Sequence, residues 1–128
     1  VGTEIPPLTL PPISRYTLAL FAGASGDHNP IHIDSDFAKA SGMPDVFAHG
    51  MLSMAYLARL LTGWKAQSSI RKFSTRFATI TQLQDVVTCS GTVVEIIEAQ
   101  GETLARCEIK INNQNGVSTL VGEATVAL

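Results

Sequence analysis

Residues 23 to 34, GASGDHNPIHID, hold two aspartates, two histidines, an asparagine and a proline, in a chain with only three histidines. The third, His49, follows in FAHGM. Metal ligation, nucleophilic attack and general acid/base transfer are the three chemistries open to such a set. His28 and His32 stand i, i+4, the spacing that puts two ligands on one helix face. Pro30 lies between them, and the residue before a proline is pushed out of the helical region. Asn29 occupies the place where a zinc-dependent hydrolase carries its glutamate base, and no third ligand has the right spacing. No metal is expected. GASGD begins like a nucleophile elbow, but G-x-S-x-G needs glycine at 27, where this chain has aspartate. Neither cysteine lies near a histidine in sequence.

Acid/base work suits the composition better. A carboxylate can hold a water for attack, and an imidazole can trade a proton near neutral pH. Asp27 and His32 flank a proline that stiffens the loop, so both side chains can be aimed into one cavity. An ordinary polar loop, with Asp27 capping the next helix and His32 exposed, accounts for the composition equally well.

The flanking elements must decide which. TEIPPLTLPPI carries four of the six prolines and reads as an extended edge segment, because proline lacks the ladder donor. Ser14 stands at an N-cap position before RYTLALFAGAS, a helix of about three turns. DSDFAKASG reads as a short helix capped by Asp34 or Ser35 and stopped at Gly42. In MLSMAYLARLLTGW, apolar residues occupy every face of the wheel, the pattern of a buried helix. From residue 70 the period becomes two. KFSTRFATI, DVVTCSGTVVEII, ETLARCEIKI and VSTLVGEATVAL read as strands, and Asn115-Gly116 as a hairpin turn whose two residues tolerate positive φ. A curved antiparallel meander wrapped around the apolar helix satisfies all of this: an α+β hot-dog fold.

At 128 residues the chain is read as one domain, 1–128. Its hydrophobic share is 45% and its charged share 16%, against about 25% charged in typical domains. That shortage points to a self-association interface. Nine basic against eleven acidic residues give no reason to expect nucleic acid as a partner. Cys89 and Cys107 sit inside strand-like runs and read as buried, reduced thiols. No secretory leader and no membrane span are visible, so a cytoplasmic setting is expected.

GDHNPIHID, preceded by FAGAS and followed by FAHGM, closely resembles the signature of the MaoC-like dehydratases, or (R)-specific enoyl-CoA hydratases. These are hot-dog proteins that act on acyl thioesters. Gly26, Asp27, Asn29, Pro30, Ile31, His32, Asp34, Phe37, Ala38, His49, Gly50 and Met51 match the pattern. The resemblance covers nearly the whole chain. It implies a catalytic pair, Asp27 and His32, with His28 at a variable position. It implies reversible hydration of a trans-2-enoyl thioester to the (R)-3-hydroxyacyl thioester, on coenzyme A or an acyl carrier protein. It also implies at least a homodimer and no cofactor. Two positions depart from the family: Gln84 replaces a turn glycine, and Ala58 stands where some members place a hydroxyl beside the aspartate.

Around that pair, Gly50 opens the apolar helix, and its free N–H lies at the positive end of the dipole. It reads as an oxyanion donor or simply as a helix-entry residue. His49 is expected to fix the helix entry and Asn29 to brace the loop, both beside the substrate. Lys65, Arg71, Lys72 and Arg76 form a run without an acid. Arg71 and Lys72 are candidate contacts for coenzyme A phosphates or an acidic carrier protein; a solvated strand face is the other reading. Two rival functions stand beside the hydratase: a hot-dog acyl thioesterase and a subunit of a hetero-oligomeric dehydratase. Thioesterases of this fold usually carry an acid on the central helix, and MLSMAYLARLL has none.

Overall fold

Ser14 starts the first helix as expected: its side chain accepts a hydrogen bond from the Thr17 N–H at 3.1 Å. The computed structural model describes every residue from Val1 to Leu128. Strand β1 (Glu4–Thr9) leads to α1 (Arg15–Ser25), a 3₁₀ turn (Pro30–His32), α2 (Ser35–Ala40) and α3 (Gly50–Trp64). Strands β2 (Ile70–Phe77), β3 (Thr88–Ala99), β4 (Glu102–Asn112) and β5 (Ser118–Ala127) follow. Asp34, not Ser35, caps α2, accepting from the Asp36 and Phe37 amides. No helix is long and apolar enough to cross a membrane.

All pairings are antiparallel and the strand order is β1-β3-β4-β5-β2. The meander is therefore confined to β3–β5, and β2 returns to the far edge beside β5. Residues 78–87 make that crossing past the start of α3. They are tied there by the Ala48 N–H on the Thr81 carbonyl and by the Phe47–Gln82 bridge. The third strand starts at Thr88 rather than Asp85, because Asp85 serves the crossing instead. Its carboxylate accepts from the Gln82 N–H at 2.8 Å and from Gln114 Nε2 at 2.9 Å.

The turn chemistry is also redistributed. At 113–117 only Gly116 has positive φ, and the loop is built on Asn113, whose Oδ1 accepts from the Asn115 and Val117 amides. The two-residue turn with both φ positive is Gln100-Gly101, at 51° and 77°. Gln84, the departure from the glycine pattern, keeps a glycine-like φ of 69°, and its N–H donates to the Ile13 carbonyl at 2.7 Å. The loop's path thus survives the substitution at the cost of left-handed strain. Gln84→Gly is expected to raise stability by up to about 1 kcal/mol, strain relief outweighing the added freedom of the unfolded chain. Urea unfolding at neutral pH is the check, and a lower midpoint would contradict it.

Two apolar clusters hold the molecule. Leu57, Leu60 and Leu61 of α3 pack with Val93, Cys107, Ile109, Ile111, Leu120 and Val126 on the inner face of the sheet. Each such buried leucine contributes about 1.5–3 kcal/mol. A smaller cluster of Ile13, Leu18, Ala38, Val46, Ala48 and Leu52 joins α1, α2 and the start of α3. It is this cluster that sets the 26–34 loop against residues 47–49. Cys89 and Cys107 are both buried.

The expectation of a buried central helix fails as well. The central helix is not buried all round: Met51 is 57% exposed, and Ala55 and Arg59 are exposed too. The sheet wraps one side of α3 and the small cluster covers its first turn, which leaves a stripe open in the single chain. The apolar residues of that stripe, and not those facing the sheet, are the ones that made the wheel look uniform.

Candidate active site

Gly26 ends α1 in the left-handed region (φ 79°), donating its N–H to the Ala22 carbonyl. The chain therefore leaves the helix abruptly at Asp27. Three local bonds then coil the loop. The Asp27 N–H donates to Ser25 Oγ at 3.2 Å, the Asn29 N–H to Asp27 Oδ1 at 3.2 Å, and the Ile31 N–H to Asn29 Oδ1 at 3.1 Å. The last two are Asx turns and the first is their serine counterpart, all available to these side chains whatever surrounds them. Asp27 is exposed, and its carboxylate is steadied by the loop's own amide, which answers the missing hydroxyl at the half-buried Ala58. Asn29 uses its carbonyl oxygen inside the loop, accepting from the Ile31 N–H.

His32 is buried at the end of the 3₁₀ turn, with Nδ1 at 2.8 Å from the Phe47 carbonyl. A carbonyl only accepts, so Nδ1 carries the proton and a neutral ring keeps its lone pair at Nε2. His49 is 1% exposed and stacks on His32 with ring centroids 4.0 Å apart. Its Nε2 donates to the Asp27 backbone carbonyl at 3.2 Å, and its Nδ1 is buried with no partner. Phe21 packs edge-to-face with the His49 ring, centroids 4.9 Å apart. His49 thus ties the entry of α3 to the loop, more than the helix-entry role read from its position. One donor atom from each of Asp27, His32 and His49 lies within 4.8 Å of the others. His28 is exposed and takes no part.

Burial pushes the His49 imidazole below its ordinary value of 6.5, and the neighbouring His32 adds to the push. The folded protein then takes this proton less readily than the unfolded chain. Stability from the neutral ring is present above pH 6.5 and is lost as pH falls below 6.5 toward the lowered folded value. Unfolding midpoints should drop between pH 7 and pH 5, and His49→Gln should flatten that slope. An equal slope in the variant would assign the loss elsewhere.

Gly50 begins α3, and its N–H has no partner. A Cβ there would stand 3.0 Å from the Phe77 ring, so the glycine also accommodates β2. Beside it lies a cavity of about 240 Å³ lined by Phe47, Gly50, Ser53, Phe77, Thr81 and Thr119, with no charged group. Ser53, Thr81 and Thr119 are buried hydroxyls that no spacing rule had singled out, because they come from three separate segments. Arg71 is not a free cation. Glu102 grips it at 2.6 and 3.0 Å, and Arg71 also donates to the Ser68 carbonyl. Lys72 on the same strand has no ion pair.

The family model described as MaoC like domain matches residues 5–114. An "(R)-specific enoyl-CoA hydratase" of Rhodospirillum rubrum is 31% identical over 116 residues, covering 89% of this chain and 78% of the relative. A "Fatty acid synthase subunit beta" of Saccharomyces cerevisiae is 29% identical over 126 residues, covering 94% of this chain; the chain spans 6% of that relative's length. Among solved structures, an (R)-hydratase from A. caviae involved in PHA biosynthesis superposes with a TM-score of 0.85 at 27% identity. The match covers 100% of this chain and 96% of that one.

Proposed function

The chain belongs to the MaoC-like domain family, and from that premise we propose that it reversibly hydrates trans-2-enoyl thioesters to (R)-3-hydroxyacyl thioesters. The observation that carries the reading is the gap between Asp27 and His32, at most 4.8 Å between donor atoms. Two acceptors each about 2.8 Å from one water stand up to about 5.6 Å apart. One water can therefore bridge the Asp27 carboxylate and the His32 ring.

In the forward direction Asp27 takes a proton from that water as its oxygen bonds to C3, while His32 holds the water in place. The electron pair of the double bond moves to give the thioester enolate. The proton returns from the pair to C2, so one water is consumed and the pair is restored. The enolate charge gathers on the carbonyl oxygen, where the free Gly50 N–H at the start of a fifteen-residue helix serves as donor. Loss of one such donor typically costs on the order of 10²–10³ in rate. The uncharged cavity beside Gly50 suits the uncharged part of the thioester next to that carbonyl. Phe47 lines that cavity; Met51 and Met54 of α3 do not.

The same reading takes the substrate as a coenzyme A or carrier-protein thioester, the setting as cytoplasmic and the assembly as a homodimer or higher homo-oligomer. The open stripe of α3 supports self-association. Lys72 lies five residues along β2 from Phe77, roughly 17 Å away and on the opposite face of the strand. Because β2 is an edge strand, the long lysine side chain meets the phosphate-bearing end of the substrate only around that edge. Lys72→Glu is expected to raise KM severalfold with kcat nearly unchanged; an unchanged KM would remove this contact. Arg71→Glu would also break the Glu102 pair, so Lys72 is the cleaner probe.

The experiment follows loss of enoyl-thioester absorbance while free thiol is assayed in parallel. Loss without thiol release is the hydratase result. Thiol release would make the protein a thioesterase and overturn the assignment.

A further inference from the structure

The geometry points to a second use of the same three side chains: we propose that Asp27, His32 and His49 form an inhibitory site for a borderline divalent transition ion such as zinc. The i, i+4 pair His28 and His32 was the only metal arrangement visible in the spacing, and it fails. Tertiary packing substitutes another. It stacks His49 on His32 at 4.0 Å and brings a carboxylate to both, with one donor atom from each residue inside 4.8 Å.

Two imidazoles and one carboxylate are a ligand set suited to zinc and its neighbours rather than to magnesium or calcium, which prefer all-oxygen shells. Both rings are already oriented as metal-bound histidines usually are, with one nitrogen donating to a carbonyl. His32 Nδ1 donates to Phe47 and His49 Nε2 to Asp27. The other nitrogen of His49 has no partner. Donors around a tetrahedral zinc stand about 3.4 Å apart, so the cluster must contract by up to about 1.4 Å. The exposed Asp27 carboxylate, held by one loop amide, is the group free to move.

The ion is a competitor, not a resident group. It takes the Asp27 oxygen and the His32 lone pair that the substrate water needs. The claim of inhibition rests on the proposed hydratase reading; the claim of binding does not.

Calorimetric titration with zinc chloride in a non-chelating buffer tests binding directly, and the visible spectrum of the cobalt(II) form reports nitrogen and oxygen ligation. One ion per chain is expected for the wild type and for His28→Ala. Affinity should fall on the order of 10²-fold or more in Asp27→Asn, His32→Gln and His49→Gln, since even outer contacts of metal sites cost 10–100-fold. Circular dichroism checks that each variant is folded, and any of the three that is folded suffices. In the assay, zinc should lower the apparent kcat with KM little changed, and a chelator should reverse it. No binding by the wild type, or undiminished binding in a folded His32→Gln or Asp27→Asn, overturns the site. Undiminished binding in His49→Gln overturns it as a three-residue site. Binding by a protein with no hydratase activity would keep the site and fail only the proposed function.

Discussion

Asp27→Asn should lower kcat on an enoyl thioester by about 10³–10⁴-fold, the upper range for a positioned acid/base group. KM should change little. The substitution is nearly isosteric, and the asparagine Oδ1 can still accept the Asn29 N–H that coils the loop at 3.2 Å. What is lost is basicity, which matters only as the water gives up its proton, so the effect belongs to the transition state. His32→Gln should cost a comparable factor, because its amide can hold a water but does not trade a proton near neutral pH. The double variant should be little slower than either single one, as groups acting on one water are not independent. Steady-state kinetics on all three variants, with unfolding curves as a control, make the test. A folded Asp27→Asn that keeps more than about a tenth of wild-type kcat would break the argument, since a tenfold loss is well below what such a group supplies.

Gly122→Ala carries the largest expected effect on stability. Gly122 pairs with Ile109 on one side and Thr75 on the other, in the row where Gly91 also pairs with Ile109. A Cβ at 122 would overlap the Ser74 carbonyl oxygen and come within 3.0 Å of Thr75 Cα. These are backbone atoms and cannot rotate away, so β2 would have to part from β5. A destabilisation of about 3 kcal/mol or more is expected, the upper end for overpacking, against a total of about 5–15 kcal/mol. Gly23→Ala is the control. Gly23 lies in α1 with nothing within 4 Å of its Cβ position, so alanine should add about 0.5–1 kcal/mol. Opposite shifts in the two urea midpoints are the outcome sought. A mild loss at Gly122, below about 1 kcal/mol, would mean that the β2–β5 edge yields more easily than such a collision implies.

The candidate loop was largely readable in one dimension. Gly26, Asp27, Asn29 and Asp34 make bonds to groups within four residues, and chain geometry alone offers those bonds. The caps of α1 and α2 and the two-residue period of the strands follow from equally short-range rules. Errors entered where a local rule had a distant competitor. Asp85 looked like strand and became an anchor because Gln114 reaches it. Arg71 looked free because its acid lies on another strand. Asn115 looked like a left-handed turn residue until Asn113 took over the loop's amides.

The long-range part of the site had no signature of its own. His32 meets Phe47 across fifteen residues and His49 meets Asp27 across twenty-two. Neither partner could be chosen until Leu18, Ala38, Ala48 and Leu52 had been buried together. The same holds for the hydroxyls of Ser53, Thr81 and Thr119 and for the open stripe of α3. Residue types and close spacing settled which groups were available for acid/base work and how their loop coils. Which of them come within reach of one another, which ring stacks on which, and which apolar face stays uncovered depended on the packing of whole elements. Hydrogen bonds between near neighbours are set by the chain's few allowed dihedral states, whereas contacts between distant residues are selected by the burial of apolar faces.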